Sequence, residues 1–215
     1  MEFQEFPKMA RLSRECVVTE KIDGTNAQVY IFRSLDGPLP GHIAYKDEGT
    51  YGSLQMFAGS RTRWITPEQD NHGFAKWVKH NAEELFQLGE GRHFGEWWGQ
   101  GIQRNYGMQE KRFSLFNAVR WVKREAYLTP EEDATVSLGP KQQFVPDCCH
   151  VVPVLYRGIF TTEAVEQALD LLRERGSFAS PGFMRPEGVV AYHTAGGIGF
   201  KKTLENDELP KSMVK

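Results

Sequence analysis

The sequence predicts an α+β fold with mostly antiparallel sheets. Two observations lead there. Runs rich in β-branched and aromatic residues recur along the chain between turn-forming residues. Only two stretches show apolar residues at helical spacing, so the pattern is runs of strands with a few inserted helices.

The elements follow in order. Cys16 to Lys21 and Asn26 to Phe32 read as strands, and Asp23-Gly24 between them as the turn of a hairpin that starts at Lys21. Asp36-Gly37-Pro38-Leu39-Pro40-Gly41 is a loop. A strand is expected near Ile43 to Tyr45, then a glycine-punctuated segment to Arg61. From Pro67 to Leu88 the pattern is helical, with Phe74, Trp77, Val78, Asn81, Leu85 and Leu88 mostly three or four apart and Gly89 as a stop. Arg92 to Trp98 and Phe113 to Val122 return to strand. Glu131 to Gln143 is polar and unpatterned, a surface loop or insertion. Thr161-Thr162-Glu163 opens a second helix with a cap and an early acid. Val165, Ala168, Leu169 and Leu172 give its apolar stripe, and Arg173, Arg175 and Gly176 close it. Gly188 to His193 and Ile198 to Thr203 form a last strand pair around Ala195-Gly196-Gly197.

Composition bounds the function. The chain has 215 residues, 40% hydrophobic and 25% charged, which describes a soluble globular protein with one sizeable core or two small ones. No run approaches the roughly 20 apolar residues of a membrane span, and Met1 to Ala10 has no signal-peptide core. Three cysteines give no disulfide framework, so a cytoplasmic setting is expected. Cys148-Cys149-His150 lacks the second ligand pair that a closed zinc site needs, and ordinary packing explains it. A net charge of −2 argues against tight nonspecific nucleic-acid binding but leaves room for a local cationic groove.

The chemistry concentrates in Glu20-Lys21-Ile22-Asp23-Gly24-Thr25-Asn26. A lysine is almost wholly protonated at neutral pH, with about one side chain in 2,500 a free amine. A nucleophilic lysine therefore needs nearby cations, a metal ion or desolvation. Three further segments could complete such a site. Phe94-Gly95-Glu96-Trp97-Trp98-Gly99 sets a carboxylate on a strand and runs into the glycine-rich Gln100 to Tyr106. Pro186-Glu187-Gly188-Val189-Val190 sets another at the entry of a buried strand, and Gly199-Phe200-Lys201-Lys202-Thr203 adds cations on the next. Singly, each reads as ordinary structure: a hairpin lysine, a packed glutamate, a turn acid, a solvated edge. Together and in this order they are a poor match for chance.

These segments resemble the covalent nucleotidyltransferases, which comprise ATP-dependent DNA and RNA ligases and mRNA capping enzymes. Lys21 to Gly24 looks like motif I of that superfamily, Phe94 to Gly99 like motif III, Arg112 to Val119 like motif IIIa, Glu187 to Val190 like motif IV and Phe200 to Thr203 like motif V. Thr25-Asn26 and the Gly-Ile-Gln-x-x-Tyr segment are most similar to the RNA ligase branch. The resemblance covers roughly Cys16 to Glu208. It implies an adenylation domain with sheets flanked by helices and the nucleotide in a cleft between sheets. Ligases usually add a C-terminal domain, and the largest departure expected here is length, a single adenylation domain over residues 1–215 without a C-terminal accessory domain.

The resemblance also implies roles. Lys21 would attack the α-phosphate of ATP and carry AMP. Glu20 would sit near the adenine edge, and Asn26 would serve the nucleotide pocket and the later steps. Arg61 would contact the nucleotide and the 5′-phosphate. Glu96 would hold the ribose hydroxyls, and Phe116, or Phe113 in another register, would stack on adenine. Glu187 would bind Mg²⁺ or Mn²⁺. Lys201 would contact the α-phosphate, with Lys202 beside it; on a strand Lys201 and Thr203 share a face and Lys202 points away. The implied partner is RNA with 5′-phosphate and 3′-hydroxyl ends, or DNA, with an accessory protein as one source of additional grip. Three positions depart from the pattern. Asp23 stands where some RNA ligases have histidine, Asn117 replaces a common acid, and the motif V lysines are adjacent rather than one residue apart. A DNA ligase core, a GTP-using capping enzyme and a non-catalytic binder of nucleic-acid ends are the alternative readings.

Overall fold

A computed structural model describes residues 2–122 and 145–208. It is mixed α+β, with two sheets whose pairings are antiparallel in all but one case. The chain divides into two compact units. One holds the described residues 2–21 and 153–208, the other residues 22–122 and 145–152. The expected Glu131 to Gln143 loop lies outside the described residues.

The first unit is a four-stranded antiparallel sheet and one long helix. Its strands are β1 (Glu15–Lys21), β9 (Val154–Ile159), β10 (Gly188–His193) and β11 (Ile198–Thr203), in the order β11-β10-β1-β9. The helix, α4 (Thr162–Arg175), starts where Thr161 accepts a hydrogen bond from the Ala164 amide and ends at Gly176. Ala168, Leu169 and Leu172 pack on Cys16, Val18, Leu155, Val189 and Ala191. That core fixes which face of β1 and β10 is covered: even positions of β1 and odd positions of β10 point to α4.

The second unit carries the larger sheet, in the order β3-β4-β2-β6-β7-β8. Its strands are β2 (Thr25–Ser34), β3 (Ala44–Asp47), β4 (Ser53–Ser60), β6 (Gly91–Gly99), β7 (Lys111–Leu115) and β8 (Cys149–Val151), with β5 (Trp64–Ile65) added beside β4. Ala27, Val29 and Ile31 are buried on one face of β2, while the residues between them stay partly open. Phe74 and Trp77 of α1 (Phe74–His80) pack with Trp97 and Phe113, with ring centroids 5.1–5.7 Å apart. A short helix, α2 (Ala82–Leu85), follows.

Four expectations are corrected. β1 and β2 are not a hairpin. β1 pairs with β9 and β10, and β2 with β4 and β6. Side chains have taken the amides a tight turn would use. The Asp23 amide donates to the Tyr106 hydroxyl at 2.9 Å and the Gly24 amide to Glu96 Oε1 at 3.0 Å. Gly24 is needed for close approach: a Cβ there would lie 2.5 Å from the Trp97 carbonyl oxygen. Secondly, the helix begins at Phe74 rather than Pro67, because the Asp70 carboxylate accepts from the Ala75 and Lys76 amides and so marks the start. Thirdly, the strand from Phe113 stops at Leu115. The Asn117 side chain accepts from the Arg120 amide and opens a short helix, α3 (Ala118–Trp121), instead. Lastly, the glycine-punctuated segment before Arg61 is the strand β4. Among the described residues no helix is long and apolar enough to cross a membrane.

Candidate active site

In the first unit, Lys21 ends β1 in register with Gly188 of β10, which pairs with Thr203 of β11. Residues in register share a face, so Lys21 and Thr203 lie on the face away from α4. Thr19, Val190 and Lys201 form the next row on that face. Lys21 Nζ lies 2.5 Å from Glu187 Oε2. Glu187 is buried, with 3% of its surface exposed, and enters from just before β10. Gly188 allows that entry: its φ is 154°, and a Cβ there would meet the Lys202 carbonyl oxygen at 2.2 Å. Lys201 is exposed.

Two expected site residues point the other way. Lys202 is in register with Val189, on the α4 face, and pairs with Glu166 of that helix. Glu20 also faces that side and is buried. Its carboxylate accepts from the Ser177 hydroxyl at 2.6 Å and from the Phe178 and Ala179 amides at 2.8 and 3.0 Å. Burial pushes the Glu20 carboxyl up to about 7, against the opposing pull of those three donors. The Glu20 side chain is thus committed to the turn after α4, and its backbone amide donates to the Pro153 carbonyl.

In the second unit, one face of the larger sheet carries the remaining candidates in successive rows. Asn26 pairs with Glu96, and the Glu96 carboxylate accepts from the Gly24 amide and, at 3.3 Å, from Asn26 Nδ2. Ser60 of β4 pairs with Ala27, so Arg61 continues the chain past β4 at the Asn26 end of the sheet. Arg61 is exposed there, at the turn closed by hydrogen bonds from Ser60 to the Arg63 carbonyl. Phe113 and Phe116 separate cleanly. Phe113 is fully buried in the aromatic cluster, whereas Phe116 is 42% exposed beyond β7, with its amide on the Phe94 carbonyl. Only Phe116 can offer a ring face to a ligand. Beyond β6, Arg104 Nε lies 3.2 Å from Asp23 Oδ2. Gln103, Asn105 and Tyr106 all have positive φ in that segment, a strained backbone that holds the Tyr106 hydroxyl on the Asp23 amide.

The RNA ligase family model matches residues 14–204, most of the chain and every residue just placed. The chain belongs to the RNA ligase family. No curated protein sequence matches it. Among solved structures it is similar to the Naegleria gruberi RNA ligase. A ligand-free mutant of that enzyme matches at 20% identity with a TM-score of 0.49, over 89% of this chain and 50% of that one. A mutant with ATP and Mn matches at 21% identity and 0.49, over 90% and 51%, and one with AMP and Mn at 20% and 0.48, over 88% and 49%. This RNA ligase family chain thus spans about half the length of the structures it matches.

Sequence reasoning missed two features among these candidates, one in each unit. The turn Ser177-Phe178-Ala179 that holds Glu20 gave only the signal of a serine after the Gly176 cap. The Asp23–Arg104 ion pair spans 81 residues and had no local signal at all.

Proposed function

We propose that the chain is an ATP-dependent RNA ligase that seals 5′-phosphate to 3′-hydroxyl ends through a covalent lysyl-AMP. The observation that carries the reading is the 2.5 Å contact between Lys21 Nζ and the buried Glu187, on the sheet face that Lys201 shares. Lys21 is the nucleophile. Its amine forms a P–N bond to the α-phosphorus of ATP as the bond to pyrophosphate breaks, and the Nζ proton leaves to solvent or to Glu187. The 5′-phosphate of RNA then takes AMP from Lys21, giving a phosphoanhydride. The 3′-hydroxyl attacks that 5′-phosphorus and AMP departs. Such chemistry needs positioning and positive charge more than acid–base groups. Lys201 supplies charge for the α-phosphate. Glu96 and Asn26 hold the ribose, Phe116 stacks on adenine, Glu20 contributes through its backbone, and Arg61 meets the 5′-phosphate.

A divalent cation, Mg²⁺ or Mn²⁺, suits this donor set. Glu187 would offer it a carboxylate, with phosphate oxygens of the nucleotide and water as the other oxygen ligands such an ion takes. When bound, the ion neutralises phosphate charge. The three free cysteines fit the cytoplasmic setting we assign.

The test is incubation of wild type and Lys21→Ala with α-labelled ATP or GTP and Mg²⁺ or Mn²⁺, followed by denaturing electrophoresis. The reading expects label from ATP on wild type alone. Label from GTP only would make the chain a capping-type enzyme. No label from either would leave a non-catalytic binder of ends. Nicked RNA and DNA duplexes and single strands offered to the labelled enzyme then identify the preferred ends, and an accessory protein is implicated if only the first step proceeds.

A further inference from the structure

The same face of the larger sheet continues past the Asn26–Glu96 row into a strip of aromatic rings and arginine that the proposed chemistry does not use. In the next row, Trp64 pairs with Gly59, Gly59 with Gln28 and Gln28 with Phe94. One row further, Phe57 pairs with Tyr30 and Tyr30 with Arg92. Residues in register share a face and rows on that face lie about 7 Å apart, so both rows run on directly from Asn26 and Glu96. Trp64 is 46% and Phe94 51% exposed. The rings are ordered. Tyr30 and Trp64 stack with centroids 6.0 Å apart and planes within 22°, and Tyr30 and Phe32 at 5.2 Å and 18°. The Arg92 guanidinium lies 4.1 Å from the Tyr30 centroid and 5.4 Å from that of Trp64, and Gln28 Oε1 accepts from it at 3.1 Å.

We infer that this strip, centred on Trp64, Tyr30, Phe94 and Arg92, is a stacking platform for single-stranded polynucleotide. Three observations select that partner. Exposed flat rings give any base a π-face, whatever the sequence. Arg92 is exposed and already seated over the rings, so its remaining N–H groups can meet a phosphate with little further ordering of the side chain. Apart from the buried Glu96, these rows contain no acidic side chain, so nothing on them repels a polyanion. The platform adjoins the residues to which the nucleotide is assigned, and in this the inference rests on the RNA ligase reading.

The competing explanation is that the rings merely stabilise the sheet through cross-strand packing. The test separates the two. Wild type, Trp64→Phe, Trp64→Ala and Arg92→Ala are titrated with a 5′-phosphorylated, fluorophore-labelled 12-mer of RNA, and with DNA of the same sequence, at fixed salt. Intrinsic tryptophan fluorescence is followed in parallel with an unlabelled 12-mer. Trp64→Ala and Arg92→Ala should each weaken binding on the order of tenfold. Trp64→Phe should bind like wild type and lose the quenching that a stacked base produces. Labelling of Lys21 by ATP should be unchanged in all three. Wild-type affinity in both alanine variants, or no binding by wild type, overturns the platform. So does weakened binding that only follows a lower Tm without loss of quenching. If wild type takes no label from ATP but still shows the binding pattern, the ligase reading fails and the platform stands.

Discussion

The two sheets hold two of their candidate carboxylates in different ways. In the four-stranded sheet, Glu187 is held by the Lys21 ammonium. In the larger sheet, Glu96 is held by a backbone amide and an asparagine amide, and aromatic rings stand in the neighbouring rows. An ion pair can exchange partners when a phosphate arrives. A carboxylate bound by fixed neutral donors keeps its orientation. The first arrangement suits bond making, the second suits holding a sugar and a base.

Removing Lys21 is the most severe way to break that contrast. Lys21→Ala should abolish ATP labelling, a loss of at least about 1,000-fold, with the fold intact by circular dichroism. Glu187→Ala should cut labelling on the order of 100-fold. A magnesium titration of that variant giving wild-type labelling would remove Glu187 from metal handling. In the larger sheet the two phenylalanines should divide stability from binding. Phe113→Ala should cost about 3–5 kcal/mol in urea unfolding, because it opens a cavity in the aromatic cluster. Phe116→Ala should leave the unfolding midpoint in place and raise the KM for ATP several-fold.

Glu20 gives the smallest and most diagnostic effect. Its folded-state carboxyl sits at about 7, above the ordinary value of 4.5. The folded protein therefore holds this proton more tightly than the unfolded chain. The stability it contributes is full below pH 4.5 and is lost as pH rises to 7, by at most about 3 kcal/mol. Glu20→Gln should flatten that part of the stability profile. An unchanged slope in the variant would assign the effect to another group.

Much of this was legible in the sequence where the signals are local. Thr161 and Gly176 bound α4, and Ala195-Gly196-Gly197 marked the turn between β10 and β11. The opposite directions of Lys201 and Lys202 follow from strand periodicity alone. Non-local facts were hidden. Asp23-Gly24 has the composition of a hairpin turn, but the partners that engage its amides, Tyr106 and Glu96, are 83 and 72 residues away. Glycine and serine disguised β4, because Gly59 leaves room for the Gln28 side chain lying across it. The choice between Phe113 and Phe116 depended on where β7 stops, which the Asn117 cap decides.

Among the described residues β11 lies at the end of its sheet, with β10 its only neighbour there. Its alignment is set by the short connection between His193 and Ile198. Lengthening that connection by one residue, with the strand sliding to compensate, would reverse the two lysines. Lys202 would take the place beside Lys21's row and Lys201 would turn toward Glu166. The number of residues in a four-residue link, as much as the identity of either lysine, decides which cation shares a face with Lys21.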